Sequence, residues 1–182
     1  MPTEREAVKQ FESCVPKEYF SIHPQCKGKA IFVKKLKRLF AEWDGRIEPQ
    51  GGVIDFILEP TELLKERGWK IGCVGVEIKS TKILKDRPGK AIAQILDYQA
   101  CSYKLPSSND TELSMIFLFP YRYSAKLLGS IMQQEGLGFV RYIPKLNLFQ
   151  LLQANSNEPV FSLQNGEVIV RKPRFGKRFG HR

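Results

Sequence analysis

Two nearly continuous apolar runs in this chain each carry charge where a buried strand would not choose it, and that conflict constrains the fold more than any other feature. In GGVIDFILEP, Asp55 interrupts Val53, Ile54, Phe56, Ile57 and Leu58; in CVGVEIKS, Glu77 and Lys79 flank Ile78 at the end of an apolar stretch. Runs rich in β-branched residues and bounded by Gly and Pro read as strands. A carboxylate or ammonium inside such a strand costs free energy unless something compensates it. Side chains alternate across a strand, so Glu77 and Lys79 share one face with Ile78 on the other, and a neighbouring strand can bring Asp55 to that face.

The rest of the chain supplies the frame around those strands. Thr3 to Ser13 is polar and helix-compatible and leads into a loop marked by Pro16, Pro24 and Gly28. Lys29 to Trp43 follows as an expected amphipathic helix, with Ile31, Phe32, Leu36, Leu39 and Phe40 inward and Lys34, Lys35, Lys37 and Arg38 on the opposite turns. Strands are expected over Arg46 to Gln50, Val53 to Leu58 and Ile71 to Ile78, with a short polar helix at Thr61 to Arg67. Helical spacing resumes from Gly89 to Tyr103, placing Ile92, Ile95 and Leu96 inward with Ala91 and Ala100, before a loop at Pro106 to Asn109. Leu113 to Phe119 reads as a strand, Ser124 to Glu135 as a helix ended by Gly136, and Phe139 to Ile143 and Leu146 to Leu152 as strands. A hairpin about Asn165-Gly166 joins Pro159 to Leu163 and Val168 to Arg171. This order implies an α/β domain with a mixed central sheet flanked by helices.

The chemistry that fits the misplaced charges is a hard divalent cation. Mg²⁺ takes carboxylate, carbonyl, water and phosphate oxygens, so Asp55, Glu77 and the Ile78 carbonyl form a plausible ligand set, with Mn²⁺ able to substitute. Lys79 could then orient or help deprotonate an attacking water, or stabilise charge on a phosphoryl group. The plainer reading is that Glu77 and Lys79 make an ion pair at a sheet edge and Asp55 ends a turn. An isolated E-x-K is common; the Asp55 strand beside it is what favours the metal site.

The Asp55 strand, the Glu77-Ile78-Lys79 strand and the helix after them resemble the PD-(D/E)XK nuclease superfamily over about residues 29 to 120. The resemblance implies an αβββαβ, restriction-endonuclease-like core and Mg²⁺-dependent cutting of nucleic acid, with Asp55, Glu77 and Lys79 catalytic. Gln94-Ile95-Leu96-Asp97-Tyr98 matches the Q-x-x-x-Y pattern of the RecB-like branches. By that match Gln94 belongs to the catalytic periphery and Tyr98 helps hold the substrate. In two places the chain departs from the pattern. Ile54, not proline, precedes Asp55, and the glutamate or histidine often found on the first core helix has no clear counterpart among Glu12, His23, Glu42 and Glu48.

Charge and cysteine usage narrow the partners. The 182-residue chain holds 29 Lys and Arg against 19 Asp and Glu, a formal net charge of +10, which favours a phosphate-rich partner. DNA is the expected one. Its backbone would be tracked by Lys34, Lys35, Lys37, Arg38 and Tyr98, and by Arg174, Lys177 and Arg178 in the basic tail RKPRFGKRFGHR. The four cysteines form no C-x-x-C pair, and Cys14, His23 and Cys26 lack a fourth zinc ligand. No apolar signal core or stretch of roughly 18 apolar residues is present, so a cytoplasmic or nucleoid-associated protein without a membrane segment is expected.

Three segments result: an N-terminal helix and loop over 1–28, a nuclease domain over 29–170 and a flexible basic tail over 171–182. The expected activity is that of a metal-dependent phosphodiesterase, with an endonuclease favoured by the small size and a homodimer expected if both duplex strands are cut. The alternatives are a DNA-binding protein on the same fold without hydrolysis, an exonuclease, and a protein-binding factor.

Overall fold

Thr3 caps the first helix through reciprocal bonds with Glu6, so α1 (Glu4–Cys14) starts on a complete capping box. Its buried residues, Ala7 and Phe11, lie four apart on one stripe. The structure is a computed structural model that describes residues 3–31, 52–120, 136–154, 156 and 158–174. After α1 come β1 (Phe20–Ala30), β2 (Val53–Pro60), α2 (Glu62–Glu66), β3 (Val74–Ile78), α3 (Thr81–Asp86), α4 (Pro88–Gln99), β4 (Cys101–Leu105), β5 (Ser108–Glu112) and β6 (Ile116–Phe119). β7 (Leu137–Ile143), a 3₁₀ turn (Pro144–Leu146), β8 (Leu148–Gln153), β9 (Pro159–Gln164) and β10 (Glu167–Val170) complete the described elements.

The strands join in one ten-stranded sheet, ordered β10-β9-β8-β7-β6-β3-β2-β1-β4-β5. β1, β2 and β3 run antiparallel to one another, whereas β3 pairs in parallel with β6 and β6 with β7. A parallel neighbour requires a crossover. The chain makes it between β3 and β6, and α4 lies on that path. The architecture is therefore mixed α/β, built on a large mixed sheet with few described helices.

Two apolar clusters cover the faces of the sheet. On one, Phe11 of α1 meets Phe56 and Phe119 at ring distances of 5.0 and 5.4 Å, within a cluster that includes Leu58, Val76 and Ile78. On the other, Ala91, Ile92, Ile95 and Tyr98 of α4 pack with Ile57, Ile116, Leu118 and Phe139. Each cluster excludes water from one face, so any ionisable group in the strands between them needs a nearby partner. Among the described residues no helix is long and apolar enough to cross a membrane.

Several elements differ from the sequence reading. Residues 20–30, expected as loop to Gly28 and as helix from Lys29, form β1, paired with β2 from Phe20↔Pro60 to Lys27↔Val53 and with β4 at Gly28↔Tyr103 to Ala30↔Cys101. The helix expected to begin at Lys29 therefore does not, and residue 28 is no structural boundary, since α1 and β1 belong to the core. The helix expected to run to Tyr103 ends at Gln99, and Cys101 and Tyr103 are buried on β4 instead. Leu96 is 38% exposed, not inward-facing. Lys34, Lys35, Lys37 and Arg38, the strand expected over 46–50 and the helix expected over 124–135 lie outside the described residues.

Candidate active site

β2 and β3 pair regularly from Leu58↔Val74 to Phe56↔Val76, and one further step in that register sets Asp55 opposite Glu77. The ladder stops there. The Asp55 carboxylate accepts the Ile78 backbone N–H through Oδ2 at 2.8 Å, and the Asp55 N–H points at Glu77 Oε2 at 3.4 Å. Side-chain oxygens thus replace the main-chain bonds that would have closed the strands together. The N–H and C=O of a strand residue leave on the same edge, so the Ile78 carbonyl is also directed toward the Asp55 side. On the far edge of β3, the Lys79 N–H bonds the Phe119 carbonyl at 2.9 Å and continues the parallel pairing with β6. Ser80 then caps α3, so Lys79 sits where strand turns into crossover.

Val76 and Ile78 belong to the cluster beneath α1, so alternation sends Glu77 and Lys79 to the α4 face. Both are buried, Glu77 at 2% exposure, and the Lys79 ammonium donates to Glu77 Oε1. Burial, reinforced by the Asp55 charge against the bonds from Lys79, pushes the Glu77 carboxyl up to about 7. Among the described residues one lysine thus stands with two carboxylates, an arrangement short of positive charge.

α4 adds two residues from above. Gln94 and Tyr98 lie one turn apart, and the Gln94 amide donates to the Tyr98 hydroxyl. The Tyr98 ring is buried directly against Gly52, where any Cβ would collide with it. Its phenol is pushed up to about 12 by burial, with Glu77 and Asp55 adding to the shift. Asp55, Glu77, Lys79, Gln94 and Tyr98, chosen from separate stretches of sequence, are therefore neighbours.

One residue in the group carries no signal in the sequence. Gln25 stands opposite Asp55 in the β1–β2 register and donates from Nε2 to Asp55 Oδ1 at 3.2 Å, with its backbone in the left-handed region at φ 51°. A polar residue after a proline, within a stretch that reads as loop, gives no indication of such a contact. Among the described residues the Asp55 oxygens accept from Gln25 and Ile78, and the Glu77 oxygens from Lys79 and the Asp55 N–H, with the Tyr98 hydroxyl a further partner of Glu77. A carboxylate oxygen that accepts one bond keeps a second lone pair for a cation.

No protein-family model, no curated protein and no solved structure matches the chain.

Donor chemistry decides which cation would suit these residues. Among the described residues no three His, Cys, Asp or Glu side chains come together, so soft or tetrahedral coordination has no ligand set here. Two carboxylates and one carbonyl suit Mg²⁺ or Mn²⁺, which take their remaining ligands from water and phosphate. Of the residues weighed for zinc, His23 is bonded from Nε2 to Glu59 Oε2 at 2.7 Å, and Cys14 is a free thiol that burial pushes up to about 12.

The basic residues divide between described and undescribed positions. Lys177 and Arg178 lie outside the described residues. Arg174 is fixed in a way the tail reading did not foresee: its backbone exchanges two 2.7 Å bonds with the Gln153 side chain, and its guanidinium pairs with Glu158 at 3.4 Å. The Arg171 N–H bonds the Val160 carbonyl at 3.0 Å. The chain is therefore anchored through Arg174, and a flexible tail does not begin at residue 171. A cavity of about 320 Å³ lined by Lys70, Ile71, Ser114, Arg171 and Lys172 lies toward the start of β3 and β6, the opposite end from Glu77 and Lys79.

Proposed function

We propose that this chain is a Mg²⁺-dependent deoxyribonuclease of restriction-endonuclease-like design, hydrolysing phosphodiester bonds at the Asp55, Glu77 and Lys79 cluster. The observation that carries the reading is the pair of carboxylates opposite each other on β2 and β3, Glu77 buried and Asp55 half-buried, with Lys79 and the Gln94–Tyr98 pair beside them. The order α1, β1, β2, β3, α4, β6, with β6 parallel to β3, supports it as the αβββαβ arrangement such nucleases use.

Asp55, Glu77 and the Ile78 carbonyl would hold the ion. When bound, Mg²⁺ supplies positive charge against the phosphoryl oxygens and lowers the pKa of water. The remaining work falls to the chain itself. Lys79, released from Glu77 once that carboxylate has another cation, would present its ammonium to the attacking water or to the phosphoryl oxygen on which charge develops. Gln94 would hydrogen-bond the substrate backbone, with the buried Tyr98 holding its amide, while the α4 cluster excludes water from the inner wall. The net charge of +10 favours a polyanionic partner.

Internal cutting is the mode proposed, and a two-fold pair of chains would supply both strands of a duplex. A DNA-binding protein of the same fold without hydrolysis is the second reading, favoured by the small carboxylate set, which has no third acid among the described residues. A panel of supercoiled plasmid, linear duplex, single-stranded and branched DNA, each with Mg²⁺ or EDTA, separates them. Nicked and linear plasmid with Mg²⁺ alone supports the endonuclease; retarded but uncut DNA supports the second reading.

A further inference from the structure

The main-chain conformation of Gln25 is costly for a residue with a Cβ, and it occurs beside a carboxylate. A φ of 51° lies in the left-handed region that glycine enters freely and side chains rarely adopt. The register is unbroken on both sides, Pro24↔Phe56 and Cys26↔Ile54, so no inserted residue explains the turn-out. Strain of this kind persists where surrounding structure imposes it, and it clusters at functional sites. What the conformation achieves here is the Gln25 Nε2 bond to Asp55 Oδ1 at 3.2 Å. Together with the Ile78 N–H on Oδ2 at 2.8 Å, it gives each oxygen of Asp55 its own donor from a different strand.

We propose that Gln25 is a positioning residue for Asp55, holding the carboxylate in the rotamer that receives a divalent cation. The inference rests on the metal-site reading above. A carboxylate anchored by the Ile78 N–H alone can swing about that bond; the second donor fixes the carboxylate plane before any ion arrives, so less ordering is left to binding. Gln25 is itself exposed, and its amide acts on the ion only through Asp55.

The test uses Mn²⁺ as probe, with binding to the full chain followed by paramagnetic resonance of the free ion and no dependence on turnover. Gln25→Gly removes the amide and also relieves the left-handed backbone, so its thermal stability should equal or exceed that of the wild type while Mn²⁺ affinity falls about 3- to 10-fold, the scale of one exposed hydrogen bond. Gln25→Asn tolerates the same backbone but is one methylene short, and should lose affinity likewise, which keeps the test open if the glycine variant folds poorly. Added to Asp55→Asn, Gln25→Gly should change nothing further. Wild-type affinity in both single variants, or an undiminished effect of Gln25→Gly in the Asp55→Asn background, would overturn the proposal alone. Absence of Mn²⁺ binding by the wild type would overturn the metal-site reading and this inference with it.

Discussion

Glu77→Gln offers a quantitative probe of the buried charge, because glutamine keeps the shape of glutamate but never ionises. Burial and Asp55 hold the Glu77 carboxyl at about 7 in the folded chain, against an ordinary 4.5. A raised folded-state value means that protonated Glu77 contributes stability fully present below about pH 4.5 and lost as pH rises through about 7. With Glu77 at 2% exposure, no solvent discount applies. The whole effect is on the order of 3 kcal/mol, most of which falls between about pH 5 and about pH 8. Loss of the Lys79 bond also changes stability, but that term is largely common to both pH values and drops out of the difference. Thermal unfolding in EDTA should therefore show Glu77→Gln gaining roughly 5 to 10 °C relative to wild type on going from about pH 5 to about pH 8. A melting-temperature difference that stays flat across that range would refute the burial argument and the charge deficit inferred from it.

Other perturbations test neighbouring parts of the site. Lys79→Ala removes the bonds that lower the Glu77 carboxyl, so the metal-free variant should lose about 3 kcal/mol near pH 8, by urea unfolding, and recover much of it near pH 5. Adding Mg²⁺ near pH 8 should raise the melting temperature of wild type and leave Asp55→Asn unmoved, since only a ligand that binds the folded site stabilises it. Tyr98→Phe should keep the packing against Gly52 and change stability by no more than about 1 kcal/mol while slowing cleavage; Tyr98→Ala should cost about 3 to 5 kcal/mol in denaturant. Gly52→Ala should destabilise by roughly 1 to 3 kcal/mol, because its Cβ enters space held by the Tyr98 ring; a neutral result would displace Tyr98 from that wall.

What could be read from the sequence and what could not have physical reasons. The Val53 to Leu58 and Val74 to Ile78 strands were legible because both their faces are covered, which leaves a run of apolar residues with the charges standing out against it. β1 was not. Its residues His23, Pro24, Gln25 and Lys27 break any alternation, and the strand is held by main-chain pairing with β2 on one edge and β4 on the other, which leaves no trace in side-chain chemistry. The end of α4 was blurred for another reason: Cys101 and Tyr103 suit a helical stripe as well as an alternating strand, and the pairing with β1 and β5 selects the strand. For the site, alternation was enough to put Glu77 and Lys79 on one face, but the register that sets Asp55 against Glu77 is a property of the ladder. Gln25 entered through its backbone conformation, which no residue type in the sequence announces.

The most direct test compares three proteins on one substrate. Wild type, Asp55→Asn and Glu77→Gln, each verified as folded, are incubated with supercoiled plasmid over a Mg²⁺ titration and in EDTA, and nicked and linear products are followed with time. Cleavage by wild type that requires Mg²⁺, with neither variant cutting above the EDTA background, is the expected result; cutting by either variant at the wild-type rate, or cutting by wild type that persists in EDTA, would contradict the proposed site.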